Sequence, residues 1–410
     1  MKRHMNHIIV LGLLISSLAS AQQDLDNYLQ TAAENNPGLK AKFNHYLAAL
    51  EVAPQVKALP DPNIAFAYFI SPVETRVGPQ QFRISASQLF PWFGTLKAKE
   101  NAATQSAKAS YEIFLEAKSK LFNEVRSTYF NIYINRRAIE ITRENLTILG
   151  TFQKLANIKV ETGKVSAVDE YRIQMEKGDL ENQLAILLDK LNFHLVMFNN
   201  FLNVDSNREV HTPAILWTDD IGLDKKEVWD SIHAKNHQLL TLSLQQEAFD
   251  YRKELAEKQG KPNFSVGVDY TVIGQGSNNL TGTDAIVFPM VGISIPLYRN
   301  KYRAMVNEVV FLQEAKGFEK TDQENFLETI MENGWNDYLD SNRRIDLYTS
   351  QLELAEQSLR LLETEYATSN TNFEEILRME RKQLQYGLEL ERARGDKQAA
   401  ISFINYLMGT

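Results

Sequence analysis

The sequence predicts a mainly α-helical protein with a small β part, built from two structural repeats that each end in a long helical hairpin. Three observations predict this fold class: the placement of proline, the spacing of apolar residues between prolines, and a set of residues that recurs at an offset of 200 positions. Each half is expected to run as helix, pair of strands, long helix and second helix. We expect residues 22–210 to form the first repeat and residues 211–410 the second, after a signal peptide at residues 1–21.

Two stretches of more than 110 residues contain no proline, one from Pro91 to Pro213 and one from Pro296 to Thr410. Apolar residues recur there every three or four positions, which is the period of an α-helix. Helices from about Thr95 to Thr162 and from about Tyr298 to Thr368 would each be about 100 Å long at a rise of about 1.5 Å per residue. With their second helices they give long hairpins at about 95–203 and 298–408. No compact globule holds helices of this length.

The two halves repeat each other in detail. Asn36 and Leu39 recur as Asn236 and Leu239, and Pro62-Asn63 recurs as Pro262-Asn263, all at an offset of 200. The offset grows to 206 between Gly163 and Ser369, which mark the turns of the two hairpins. Since self-similarity at a fixed offset indicates repeated structural units, both halves are expected to share one topology.

Four segments have the pattern of strands, at about 62–71, 80–90, 262–274 and 285–297. Large apolar side chains alternate with small or polar ones, most strictly from Phe264 to Thr271. This pattern is typical of outer-membrane strands with one face in lipid, and an ordinary half-buried sheet produces it too. The long helices and the export signal favour the outer membrane. Because four strands are too few to close a barrel, the chain is expected to oligomerise.

The N-terminus predicts export. Lys2 and Arg3 precede an apolar run from Ile8 to Leu18, and Ala19-Ser20-Ala21 has the form of a cleavage site before Gln22. Lys+Arg 44 against Asp+Glu 52 gives a net charge of −8, which argues against a nucleic-acid partner. The absence of cysteine excludes thiol chemistry, and no cluster of catalytic residues emerges. We therefore expect no enzymatic activity, no cofactor and no metal site.

The order of these features resembles the TolC-type outer-membrane efflux protein family. The likeness covers nearly all of Leu25 to Gly409 and includes Pro91-Trp92-Phe93-Gly94, Pro296-Leu297-Tyr298 and the Asn-Pro at Asn36-Pro37. It implies a homotrimer whose strands form one twelve-stranded barrel in outer-membrane lipid, continuous with a periplasmic α-barrel. The implied function is a passive export duct that docks a periplasmic adaptor (membrane fusion) protein and an inner-membrane pump. A periplasmic adaptor with helical hairpins is the alternative.

The resemblance also implies functional residues at the hairpin turns. Adaptor contact is expected at Thr162, Gly163, Lys164 and Val165 in the first half and at Ser369, Asn370 and Thr371 in the second. Asp169 and Glu375 occupy positions of the family's acidic gate. Arg172 and Arg378 stand three residues further on, where they can pair with these acids or remain solvated surface charges.

Four aromatic residues flank the predicted strand ends: Trp92, Phe93, Tyr298 and Tyr302. They could form an aromatic belt at the inner lipid interface, where amphipathic rings are enriched. Ordinary packing against neighbouring helices is the alternative.

Overall fold

The computed structural model describes residues 22–161, 167–217, 219–276, 282–368 and 373–410. These residues form two compact units. The first unit contains residues up to Ala41, Leu115–His237 and Glu324–Thr410, and the second contains Lys42–Phe114 and Gln238–Gln323. Each unit combines segments from both predicted repeats, so the division of the chain at residue 210 stays a prediction.

The described chain is mostly helical. Its helices are α1 over residues 22–35, α2 Pro37–Leu50, α3 Val52–Lys57, α4 Thr95–Glu161, α5 Ala167–Leu202, α6 Lys225–Lys235, α7 His237–Gln259, α8 Arg299–Thr368 and α9 Phe373–Leu407. Helices α4 and α8 have 67 and 70 residues and contain no proline, as the sequence predicts. In the described part of the chain, no helix is both long and apolar enough to cross a membrane.

The ends of α5 and α9 repeat one backbone motif. The amide of Val204 donates to the carbonyl of Asn199, and the amide of Thr410 donates to that of Asn405, in both cases at 3.1 Å. Asn203 (φ 52°) and Gly409 (φ 77°) take the left-handed conformation that this C-terminal motif requires. A Cβ on Gly409 would also lie 2.5 Å from the carbonyl oxygen of Lys235, so glycine is needed there.

Two asparagines connect the ends of α5 and α9 to boundaries between other helices. The side-chain amide of Asn36 donates to the carbonyl of Phe201, and that of Asn236 donates to the carbonyl of Leu407, both at 2.9 Å. Each asparagine stands directly before a helix, α2 and α7 respectively. The two halves of the sequence therefore use equivalent residues for an equivalent contact.

The strands form one antiparallel sheet in the second unit. They are β1 Asn63–Tyr68, β2 Glu74–Thr75, β3 Gly78–Phe90, β4 Asn263–Ile273 and β5 Ala285–Ser294, in the order β1-β3-β4-β5. The two-residue β2 pairs with β3 at Thr75 opposite Gly78 and is absent from the sequence prediction. A segment so short carries no periodicity by which it could be predicted.

The register of the sheet separates two chemically different faces. Phe66 lies opposite Ile84, Ile84 opposite Tyr270, and Tyr270 opposite Ile286, so these side chains share one face. That face is apolar and open to solvent: Ile64 is 72% exposed and Val291 65%.

The other face is small and polar. Ser85 lies opposite Asp269 and Ser87 opposite Gly267, where a Cβ would come within 2.8 Å of the carbonyl oxygen of Ala86. The Nε of Arg83 donates to Asp269 at 2.7 Å on this face. The alternation predicted from the sequence therefore gives a sheet with one apolar and one polar face.

Within the first unit, the connection between α5 and α6 is fixed to several helices. The hydroxyl of Tyr28 accepts from the amide of His211 at 3.0 Å, and the hydroxyl of Tyr133 accepts from the amide of Leu216 at 3.2 Å. Lys397 donates to Asp220 at 2.6 Å and Tyr338 donates to the same carboxylate at 3.1 Å. Although its described residues form neither helix nor strand, this connection is held at several points.

Candidate functional site

Helices α5 and α9 begin after the two segments that the sequence predicts to be hairpin turns, and their first turns carry the charged residues predicted to form a gate. The residues predicted for adaptor contact, which are Thr162, Gly163, Lys164, Val165, Ser369, Asn370 and Thr371, lie outside the described residues. The four charged residues Asp169, Arg172, Glu375 and Arg378 are all described. Together with Glu374 they are called the charged cluster below.

The first pair of the cluster connects two helices. Nη1 of Arg172 lies 3.3 Å from Oδ1 of Asp169, one turn earlier on α5. Nε of the same guanidinium lies 3.2 Å from Oε2 of Glu374 on α9. Because arginine offers several N–H donors in a fixed fork, one side chain can hold both carboxylates. Arg172 therefore joins the start of α5 to the start of α9.

The second pair stays within one helix. Arg378 contacts Glu375 on α9, and the arginine side chain is 65% exposed. Among the described residues, no ion pair connects either side chain to another helix. The two pairs have the same spacing in the sequence, yet only the first one bridges α5 and α9.

The sequence prediction missed three residues that link α5 and α9. Glu374 precedes the predicted Glu375 and is the acid that Arg172 reaches. Further along, Nε of Arg381 lies 2.7 Å from Oε2 of Glu176 and forms a second link between α9 and α5. Helical spacing identifies charges on the same face of one helix, but it does not show which face meets another helix.

An apolar core lies among the helices that carry the charged cluster. Its buried residues come from four helices: Leu149, Phe152 and Ala156 on α4, Ile173 and Leu180 on α5, Leu359 and Tyr366 on α8, and Phe373, Ile376, Leu377 and Leu384 on α9. The ammonium group of Lys159 lies 3.7 Å from the ring centroid of Tyr366, within cation–π range. Burial and the charge of Asp169 raise the pKa of the Tyr366 hydroxyl.

The predicted aromatic belt residues do not form one cluster. Trp92 stacks on Phe264 of β4 with ring centroids 5.9 Å apart, and Phe93 lies 6.2 Å from the same ring. Tyr298 is 83% exposed, whereas Tyr302 is partly covered and lies near Gly260. Phe264 was not singled out in the sequence, although it begins the alternation of β4. The belt itself stays a prediction.

Comparison with solved structures identifies the class of this fold. The outer-membrane protein VceC from Vibrio cholerae has 15% sequence identity and a TM-score of 0.75, with 96% of this chain and 98% of that chain covered. The Campylobacter jejuni CmeC outer membrane channel has 12% identity and a TM-score of 0.77, over 94% of this chain and 85% of that one. The MtrE outer membrane channel of Neisseria gonorrhoeae has 14% identity and a TM-score of 0.76, over 94% and 88%. The fold is that of outer-membrane channels.

The sequence comparison matches part of the chain to a family. Residues 17–185 match the outer membrane efflux protein family, while no curated protein matches the chain. This match and the shared fold confirm the resemblance to the TolC-type outer-membrane efflux family. The outer-membrane localisation predicted from the sequence is confirmed with it. Family and fold are those of channel proteins rather than enzymes.

Proposed function

We propose that three copies of this chain form a passive export duct of the bacterial outer membrane that extends into the periplasm. The observation that carries this proposal is the two-faced sheet. Its apolar face, which includes Ile64, Phe66 and Val291, is exposed on the single chain and suits lipid. Its polar face, with Ser85, Ser87 and Asp269, suits a water-filled lumen.

The edges of the sheet support the trimer. Strands β1 and β5 stand at the two ends of the order β1-β3-β4-β5, and each leaves one row of backbone groups without a partner strand in the described chain. Such open edges are not tolerated in hydrocarbon, where no water satisfies the backbone. Pairing β5 of one copy with β1 of the next would close twelve strands into one barrel.

The proposed assembly is tested by mass and conductance together. The purified protein in detergent should have three protomer masses after correction for bound detergent, and it should conduct ions in planar bilayers. A stable monomer that conducts nothing would contradict the duct. A trimer that conducts nothing would instead mean that the pore is closed, and the proposed assembly would stand.

The duct would obtain its energy and its cargo from partners at the periplasmic end. Docking of an adaptor protein and an inner-membrane pump at residues 162–165 and 369–371 is supported by the family match and by the predicted turns. Because the chain contains no cysteine, a Lys164→Cys variant carries one thiol only. In cells, we expect this thiol to cross-link to a periplasmic adaptor. The matched variant Lys120→Cys, on α4 in the same unit, should not cross-link.

The charged cluster is proposed as the gate of the duct. Asp169, Arg172, Glu375 and Arg378 would stand around one shared aperture, where Arg172 would restrain α5 against α9. The contact of Arg172 with both Asp169 and Glu374 supports this role, since it holds α5 against α9. Single exposed ion pairs contribute only about 0–1 kcal/mol, but each would act three times on one aperture.

A further inference from the structure

One acidic residue on α9 lies in the apolar core. Glu380 is 2% exposed. Its neighbours at the spacing of one helical turn, Ile376, Leu377 and Leu384, all belong to the core of α4, α5, α8 and α9. Glu380 thus occupies a core-facing position of α9, where an apolar residue would be expected.

Among the described residues, the carboxyl group of Glu380 has no hydrogen-bond partner. Within the described part of the chain, neither Oε1 nor Oε2 has a hydrogen-bond donor, and both atoms are shielded from solvent. Buried polar side chains are normally hydrogen-bonded, and a buried carboxylate without a partner is strongly disfavoured. The neutral, protonated form fits this site far better than the charged form.

The charged groups of the surrounding helices do not neutralise this site. On α8, the charge that acts on Glu380 is Glu363, which has the same sign. The charge nearest in sequence on α9, Arg381, is paired with Glu176 of α5. On α4, Lys159 lies over the ring of Tyr366, and on α5 Asp169 contacts Arg172.

Two effects therefore act in the same direction. Burial, and after it the charge of Glu363, raise the pKa of Glu380 to about 7. The pH range over which Glu380 changes its charge therefore extends to about neutral pH.

We infer that Glu380 is a proton-dependent switch of the four-helix core: the protonated side chain permits tight packing of α8 and α9, and its deprotonation loosens that packing next to the charged cluster. The location of the switch follows from the burial and the missing donor. Its effect on conduction rests on the proposed function, because an effect on ion current can be measured only if the protein is a channel.

The direction of the pH effect follows from proton binding. With the helices separated, Glu380 would meet water and titrate near its ordinary pKa of about 4.3. Below that value both states are protonated, and packing is unaffected. Between about 4.3 and 7 the packed state alone holds the proton, so packing weakens as pH rises. Above about 7 the full effect is reached.

The packing is measured by hydrogen–deuterium exchange on the intact protein in detergent at pH 5 and pH 8, with the intrinsic pH dependence of exchange removed. In the wild type, the equilibrium constant for opening of residues 149–156 and 373–384 should be at least about tenfold larger at pH 8 than at pH 5. The reason is that a difference of one between the pKa values of Glu380 in the packed and separated states changes their equilibrium about tenfold. Glu380→Gln, which cannot titrate, should lose this dependence. Glu380→Met should behave as Glu380→Gln does, which covers the case that a buried amide impairs folding.

Two further variants separate the switch from a structural role. Glu363→Gln removes the like charge and should move the midpoint of the transition to lower pH. Glu389→Gln, on the same helix but paired with Arg392 at 3.9 Å, should titrate as the wild type does. If Glu380→Gln and Glu380→Met kept the wild-type pH dependence of exchange, the switch would be refuted.

Conduction provides the second readout. Open probability in planar bilayers should be higher at pH 8 than at pH 5 in the wild type and independent of pH in Glu380→Gln. A channel that conducts equally at both pH values, with exchange also unchanged, overturns the switch and leaves the duct intact. Absence of conduction at every pH, with pH-dependent exchange, would instead contradict the proposed function.

Discussion

At the scale of single residues, two charge pairs with the same spacing differ in what they connect. Arg172 contacts Asp169 on its own helix and Glu374 on α9, whereas Arg378 contacts Glu375 on its own helix. A pair within one helix stabilises that helix by a few tenths of a kcal/mol, about 0.2–0.5, but holds no second helix in place. Of these two arginines, Arg172 is therefore the one expected to influence the relative positions of α5 and α9.

This difference gives a test with a matched control. Arg172→Gln should raise open probability in planar bilayers, because it removes one ion-pair link between α5 and α9, which contributes about 0–1 kcal/mol in each protomer. Arg378→Gln, with the same chemical change at the equivalent position, should stay close to the wild type. The wild type should also open more readily at high salt, where the pairs are screened. Equal effects of both substitutions would show that the bridge to Glu374 does not matter.

Only some of the contacts at this site could be predicted from the sequence. The contacts of Arg172 with Asp169 and of Arg378 with Glu375 could be predicted because the three-residue spacing is local, whereas the choice of these acids followed from the family resemblance. The bridge to Glu374 and the burial of Glu380 could not, since both depend on which helix faces pack together. One signal was present for Glu380: it stands four residues from both Ile376 and Leu384 in an apolar series.

At the scale of elements, the sheet makes a prediction that compares neighbouring residues of one strand. Ile84 lies on the apolar face and Ser85 on the polar face of β3. On a lipid face, lysine costs up to about 2–4 kcal/mol at the bilayer midplane, whereas lumen positions tolerate charge. Ile84→Lys should therefore lower the yield of assembled protein in the outer membrane, and Ser85→Lys should leave it near the wild-type level.

The comparison is made on isolated membranes, by the fraction of each variant that resists extraction with urea. Similar losses for both variants would mean that the apolar face does not meet lipid. A loss confined to Ser85→Lys would reverse the orientation of the sheet.

The elements differ in how well sequence predicts them. Helix α4 covers Thr95–Glu161 and α8 covers Arg299–Thr368, where the sequence predicts about Thr95 to Thr162 and about Tyr298 to Thr368. Long proline-free segments with a helical period leave few alternatives. Strand ends are less well marked in the sequence. Strand β5 ends at Ser294, before Pro296, whereas the sequence predicted a strand to about residue 297. The sequence did not predict the cross-strand register, because no local pattern shows which residues of two strands lie opposite each other.

At the scale of the whole molecule, the single chain leaves many large apolar side chains exposed. Besides the sheet, the helical residues Phe311 and Phe318 of α8 are 68% and 77% exposed. Large exposed apolar patches mark contacts with lipid or with other protein copies. The proposed trimer would give these surfaces a partner, and the mass measurement above tests it.

The firmly held connection between α5 and α6 has a consequence for chain continuity. Arg208 is exposed, while the residues after it are bound by Tyr28 and Tyr133 from the first half and by Lys397 from the second. These contacts do not depend on the peptide bond after Arg208. Two separately expressed polypeptides, residues 1–208 and residues 209–410 preceded by a second copy of residues 1–21, should therefore associate and co-purify as one complex. An equivalent break after Gly150, within α4, would interrupt helical hydrogen bonds and should prevent assembly. If fragments divided at Arg208 failed to associate, the covalent link would be essential there. If they associate, the protein can be reconstituted from its two halves.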